Sequence, residues 1–176
     1  LNSSSSPVFP MIFSTLLGND TSTSLPVRLV DVELPASLVR LLPGPRYGMP
    51  GWRELTGVHD RPLLLNMIKP NTGFSPAAGA RFVAASAAGG TDLIKDDELL
   101  ADPPFNRAAE RARAYRRALD GVADRTGRRA RYIANVTTRS CQLVDLAWAV
   151  VDAGADALMV NALALGLDGL QTLAES

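Results

Sequence analysis

Four apolar runs of strand length recur along the second two thirds of the chain, and each ends on polar side chains. They are "RPLLLNMIKP" (61–70), "TDLIKDDE" (91–98), "RYIANVT" (131–137) and "ADALMVNAL" (155–163). Segments with helical signals lie between them: "SPAAGARFVAASAAGG", "NRAAERARAYRRALDGVADRTG" and "CQLVDLAWAVVDAG". Ser75 is placed to cap the first of these, Pro76 suits its first turn, and Gly89-Gly90 stops it. "LDGLQTLAES" then starts a further helix. Near-continuous apolar strands alternating with helices predict a parallel sheet, covered by helices on at least one face. A (β/α)8 barrel and an open doubly wound sheet both satisfy that pattern. The first strand is followed by "KPNTGFSP" and not by a Gly-x-Gly-x-x-Gly turn, which favours the barrel, here only half of one.

Residues 1–60 have a different texture, broken by Pro7, Pro10, Pro26, Pro35, Pro43, Pro45 and Pro50. "VRLVDVELP" (Val27–Pro35) alternates as a half-buried strand does, "PASLVRLL" suits a short helix with Pro35 at its first turn, and "PGPRYGMPG" (Pro43–Gly51) predicts turns. The division expected is therefore 1–60 and 61–176. Eighteen Lys and Arg balance 18 Asp and Glu, which argues against a nucleic-acid partner needing a basic face. No apolar stretch approaches the roughly 20 residues of a membrane span. The single cysteine, Cys141, excludes an internal disulfide framework and fits a reducing, cytoplasmic setting. The amino end lacks the basic segment expected of a signal peptide, and the Ser3 to Ser6 run is read from its composition as a short flexible lead-in.

In either architecture, function gathers at the carboxyl ends of the strands. Those ends carry Lys69, then Lys95, Asp96, Asp97 and Glu98, then Asn135 and Thr137, then Asn161. Alternation puts Leu93, Lys95 and Asp97 on one face and Ile94 and Asp96 on the other. Neighbouring carboxylates with few counter-charges suit a hard divalent cation such as Mg²⁺, and a buried lysine beside them can act as a base or be covalently modified. His59, the only histidine, lies in a turn-rich region and is read as exposed. The arginines from Arg107 to Arg129 are read as a solvated helix face.

"RPLLLNMIKPNTGFSP", "GGTDLIKDDE", "PF", "TG" and "RYIANVT", in this order and spacing, resemble the ribulose bisphosphate carboxylase (RuBisCO) large-chain superfamily, as do "LLGN" (Leu16–Asn19) and "GPRYG" (Gly44–Gly48). The resemblance implies the first half of a TIM barrel, preceded by the end of an α+β amino-terminal domain. It implies that Lys95 reacts with CO₂ to form a carbamate, which with Asp97 and Glu98 holds Mg²⁺. Lys69 matches the acid/base lysine; Asn19 matches an asparagine that approaches substrate and metal, and Asn135 is placed with the substrate-binding residues. Departures narrow the expectation. Asn71 stands where carboxylases have a second lysine, Met67 where they have a threonine, "MVNAL" lacks their His-Asp pair, and "ELLADP" replaces an Asn-rich loop.

These departures point to the RuBisCO-like (form IV) branch, whose members enolise, isomerise or decarboxylate phosphorylated keto-sugars. The expected protein is a lyase or isomerase with a phosphorylated sugar-derived substrate, acting as a homodimer or larger homo-oligomer. The chain is expected to be a fragment of a longer protein and inactive alone. True ribulose-bisphosphate carboxylation and a non-catalytic, truncated assembly module are the alternatives.

Overall fold

A computed structural model describes residues 8–18, 30–40 and 47–176. Among the described residues, three helices precede the sheet: α1 (Val8–Leu17), α2 (Ala36–Val39) and α3 (Gly48–Thr56). The repeating part runs β1 (Leu65–Met67), α4 (Pro76–Ala88), β2 (Leu93–Lys95), α5 (Ala108–Thr126), β3 (Arg131–Asn135), α6 (Leu143–Asp152), β4 (Ala157–Met159) and α7 (Ala162–Glu175). The strands are parallel and lie in the order β1-β2-β3-β4. A doubly wound sheet reverses its strand order at a switch point. Sequential order leaves every crossover of the same hand on one face, which is the arc of a barrel.

Register fixes the faces. Met67, Lys95 and Ile133 are paired across β1, β2 and β3, and Ile133 pairs with Ala157 on β4. The alternate residues Ile94, Tyr132 and Ala134 point the other way, into the helix layer, and are wholly buried with Val83, Leu119, Val122 and Val150. Burying one large aliphatic side chain of this kind contributes about 1.5–3 kcal/mol. The α4–α5 contact is close because residue 79 is glycine: a Cβ there would lie 2.1 Å from the Tyr115 hydroxyl.

Local signals explain the helix ends. The Ser75 hydroxyl accepts the Ala78 N–H at 3.3 Å with Pro76 at the first turn of α4, and Gly90 follows it with φ +98°. Gly127 closes α5 in the left-handed region at φ 68°. The last helix starts earlier than "LDGLQ" suggests, because Asn161 caps it by accepting the Leu163 and Ala164 N–H groups. A kink at Gly166 follows.

Two segments differ from their sequence reading. Residues 27–29 lie outside the described residues; residues 30–35 form no ladder, and Val30 is 86% exposed, since alternation supplies a face but not a partner strand. Residues 43–46 are likewise outside the description, but Gly48–Thr56 is helix and not turn. Pro50 falls within its first turn, where backbone N–H groups have no helical partner to lose.

The strand starts carry a repeated device. Asp92, ahead of β2, accepts the Leu64 N–H at 2.8 Å and both Nη atoms of Arg61 at 2.7 Å. Asp156, ahead of β4, accepts the Tyr132 N–H at 2.9 Å and Arg131 Nη1 at 3.1 Å. The Arg61 hydrogen bonds, outweighing burial, hold the Asp92 carboxyl below the usual aspartate range. A carboxyl depressed on folding stabilises fully above its unfolded value of about 3.9 and loses that contribution as pH falls through the folded value. The stability gap between the full-length protein and its Asp92→Asn variant is therefore expected to be constant near neutrality and to close as pH drops below about 4. Thermal melts across pH measure it; a gap independent of pH contradicts the assignment.

Candidate active site at the carboxyl ends of the strands

Lys69 lies just beyond β1, and Lys95 ends β2. The backbone brings them to one site: Lys69 Nζ donates to Asp97 Oδ2, and the Lys95 charge also acts on Asp97. Asp97 is 2% exposed whereas Lys69 is 63% exposed, so the lysine reaches from solvent onto a buried carboxylate. Burial raises the Asp97 carboxyl, but the Lys69 ammonium, the Leu99 N–H and Lys95 together bring it below its ordinary value. It is held ionised.

Lys69 takes that carboxylate, and Lys95 is left with a weaker partner: its Nζ lies 3.7 Å from the Met159 sulfur. No ion pair among the described residues holds Lys95. Glu98 is exposed, on the turn out of the strand. As unmodified side chains, Asp97 and Glu98 supply two carboxylates, and no cluster of three His, Cys, Asp or Glu occurs among the described residues. A hard cation that keeps waters and takes one or two protein carboxylates suits this donor set.

Asn135 sits at the end of β3 with no exposed surface. Its Nδ2 donates to the Asp97 carbonyl at 3.0 Å and the Glu98 carbonyl at 2.9 Å, while its Oδ1 accepts the Thr137 N–H at 2.9 Å. The side chain braces the loop that bears the carboxylates. Asn161 is committed to capping α7. Asn19 lies outside the described residues. His59 is exposed, and lines a groove at the opposite, amino ends of the strands with Trp52, Leu65 and Ile133. At the carboxyl ends a smaller cleft, about 500 Å³, opens beside the loop between Leu99, Arg107, Thr137 and Arg139.

The sequence reading missed the partner of Asp96. Arg111 was assigned to a solvated face; it is wholly buried and paired with Asp96 at 2.9 Å. Tyr132 Oη donates to the same carboxylate oxygen at 2.7 Å, and the Asn135 N–H does so at 3.0 Å. Burial drives the Asp96 carboxyl up, opposed by Arg111, Asn135 and Tyr132. Burial also places the Tyr132 and Tyr115 hydroxyls above the ordinary tyrosine range. The missed signal is periodic: Ala108, Arg111, Ala112, Tyr115, Leu119 and Val122 form one buried stripe.

The pattern of the ribulose bisphosphate carboxylase large chain, catalytic domain, matches residues 48–176. An uncharacterized ribulose bisphosphate carboxylase-like protein of Bordetella bronchiseptica is 44% identical over 166 residues, which are 93% of this chain and 39% of the relative. A 2,3-diketo-5-methylthiopentyl-1-phosphate enolase of Geobacillus kaustophilus is 41% identical over 149 residues, 85% of this chain and 36% of that enzyme. The crystal structure of octameric ribulose-1,5-bisphosphate carboxylase/oxygenase from Pyrococcus horikoshii superposes with a TM-score of 0.86 at 34% identity, over 94% of this chain and 41% of the other. The chain thus spans about two fifths of the length of the proteins it matches. The four-stranded arc corresponds to part of their catalytic barrel. With that catalytic-domain pattern running through most of its length, the chain belongs to the ribulose bisphosphate carboxylase large-chain family.

Proposed function

We propose that the full-length protein is a RuBisCO-like enolase-type enzyme acting on a phosphorylated keto-sugar derivative, with this site at its centre. One observation carries the reading: a lysine just beyond β1 donates to a buried aspartate at the carboxyl ends of the strands, and the charge of the lysine that ends β2 acts on the same carboxylate. Similarity to an enolase of a diketo phosphate supports the substrate class. Similarity to an octameric homologue supports a homo-oligomer.

In this reading Lys95, without an ion-pair partner, reacts as a neutral amine with CO₂. The ammonium first loses one proton to solvent; a nitrogen–carbon bond then forms as one C=O π bond of CO₂ opens onto oxygen, a second proton leaves the nitrogen to solvent, and the former cation is a carbamate anion. The carbamate, Asp97 and Glu98 would hold Mg²⁺, which when bound supplies charge stabilisation to the oxygen of a polarised ketone. Asn135 keeps the two carbonyls of the carboxylate loop in place. Lys69, exposed to substrate and poised on Asp97, moves the proton at the carbon beside the ketone. Met67, in register with Lys95, and Asn71 lack the hydroxyl and ammonium of the carboxylase pattern, which favours enolisation over carboxylation.

The test separates Lys69 from the metal ligands. In the full-length protein, Lys69→Ala is expected to keep Mg²⁺ affinity within a few-fold. Exchange of the ketone's α-proton with deuterated solvent should fall by about 10²–10⁴, the range for general acid–base catalysis. Exchange at the parent rate removes Lys69 from the role. The probe is a diketo alkyl phosphate, read by proton NMR.

A further inference from the structure

Arg111 takes no part in the proposed chemistry, yet it is wholly buried and bonded along the loop that bears that chemistry. Its Nη2 donates to the carbonyls of Leu100 at 3.3 Å and Ala101 at 3.0 Å, and its Nη1 to the carbonyl of Asn106 at 2.7 Å. Its Nε and Nη2 both reach Asp96 Oδ2, at 3.1 and 2.9 Å. One rigid, planar group therefore ties the start of the loop to its middle and its end.

Asp96 is the point of leverage. Its side chain turns into the helix layer, while its sequence neighbours Lys95 and Asp97 serve the site. A rotation of the Asp96 backbone would move both neighbours together. Stability alone does not account for such a pair, because a buried ion pair is often matched or bettered by apolar residues of similar volume. An apolar pair could not supply direction: the guanidinium has five donors in a fixed fork, and here they meet a carboxylate and three backbone carbonyls.

We propose that Arg111, locked on Asp96, is a positioning residue that sets the shape of the 96–106 loop and hence the placement of Asp97 and Glu98. The proposal rests on the reading of Lys95, Asp97 and Glu98 as the reacting centre, and its test carries a readout independent of that reading. Arg111→Lys keeps the charge opposite Asp96 but cannot reach the three carbonyls as well. Asp96→Asn keeps the shape and removes the ion pair. Both are made in the full-length protein and followed by amide hydrogen exchange.

Segment 96–106 is expected to exchange about 10-fold faster or more in each variant, while residues 131–134 of β3, whose N–H groups do not bond Asp96, keep their parent protection. Mg²⁺ affinity, titrated with the metal and bicarbonate alone, should drop about 10–100-fold, as when a partner behind a ligand is lost. If the parent binds no Mg²⁺, the metal reading fails, and the exchange contrast still decides this inference. Parent-like exchange over 96–106 in both variants overturns it. So does equal loss of protection in 96–106 and 131–134 in both, which marks a purely structural role.

Discussion

Replacing Lys95 by alanine in the full-length protein is expected to abolish activity and Mg²⁺ binding together. Loss of a residue that only supports a metal ligand costs about 10–100-fold, so removing a ligand itself should exceed about 100-fold. In the proposed reading the third oxygen ligand is a carbamate on Lys95. Asp97 is paired with Lys69 and Glu98 is exposed, while Lys95 has no ion-pair partner among the described residues and its Nζ faces the Met159 sulfur. Carbon-13 NMR with labelled bicarbonate should show a carbamate resonance in the parent that the variant lacks. Unchanged turnover in Lys95→Ala would sink the assignment outright.

The largest stability effect is expected at Arg111. Arg111→Met fills a similar volume but leaves Asp96 buried without its counter-charge, and one oxygen of that carboxylate, Oδ1, already has no partner. Breaking a buried pair from one side costs about 3–5 kcal/mol. Adding Asp96→Leu should recover part of this by removing the stranded charge. Full recovery is not expected. Leu100, Ala101 and Asn106 still lose a donor, and each buried carbonyl left unpaired costs about 1–3 kcal/mol. Denaturant midpoints of the single and double variants of the full-length protein measure both steps. A double variant as stable as the parent would show that the carbonyl contacts contribute nothing.

What the residues disclosed in advance follows from how local each signal is. Ser75 with Pro76, Gly89-Gly90 and Gly127 mark their helix ends because capping is decided within one turn of chain. The strands showed as apolar runs, each followed by polar side chains. Arg111 was misplaced because an arginine in an arginine-rich helix looks solvated, and only the spacing of its apolar neighbours reveals the buried stripe. Asn135 is legible as a strand-end polar residue, but that its amide bonds the Asp97 and Glu98 carbonyls depends on the loop after β2, 38 and 37 positions away in sequence. The helix Gly48–Thr56 was hidden by glycine and proline, whose turn preference carries less weight within a helix's first turn.

The aspartates ahead of β2 and β4 have a consequence for how such a sheet is assembled. Each carboxylate grips a backbone N–H at the start of the preceding strand, Leu64 for Asp92 and Tyr132 for Asp156. A slip of one residue would carry the carboxylate past its target and turn every side chain of the strand to the wrong face. β2 and β4 therefore each bring a key to the strand before them. Alignment can be checked pair by pair as the chain lengthens, without waiting for the ring to close.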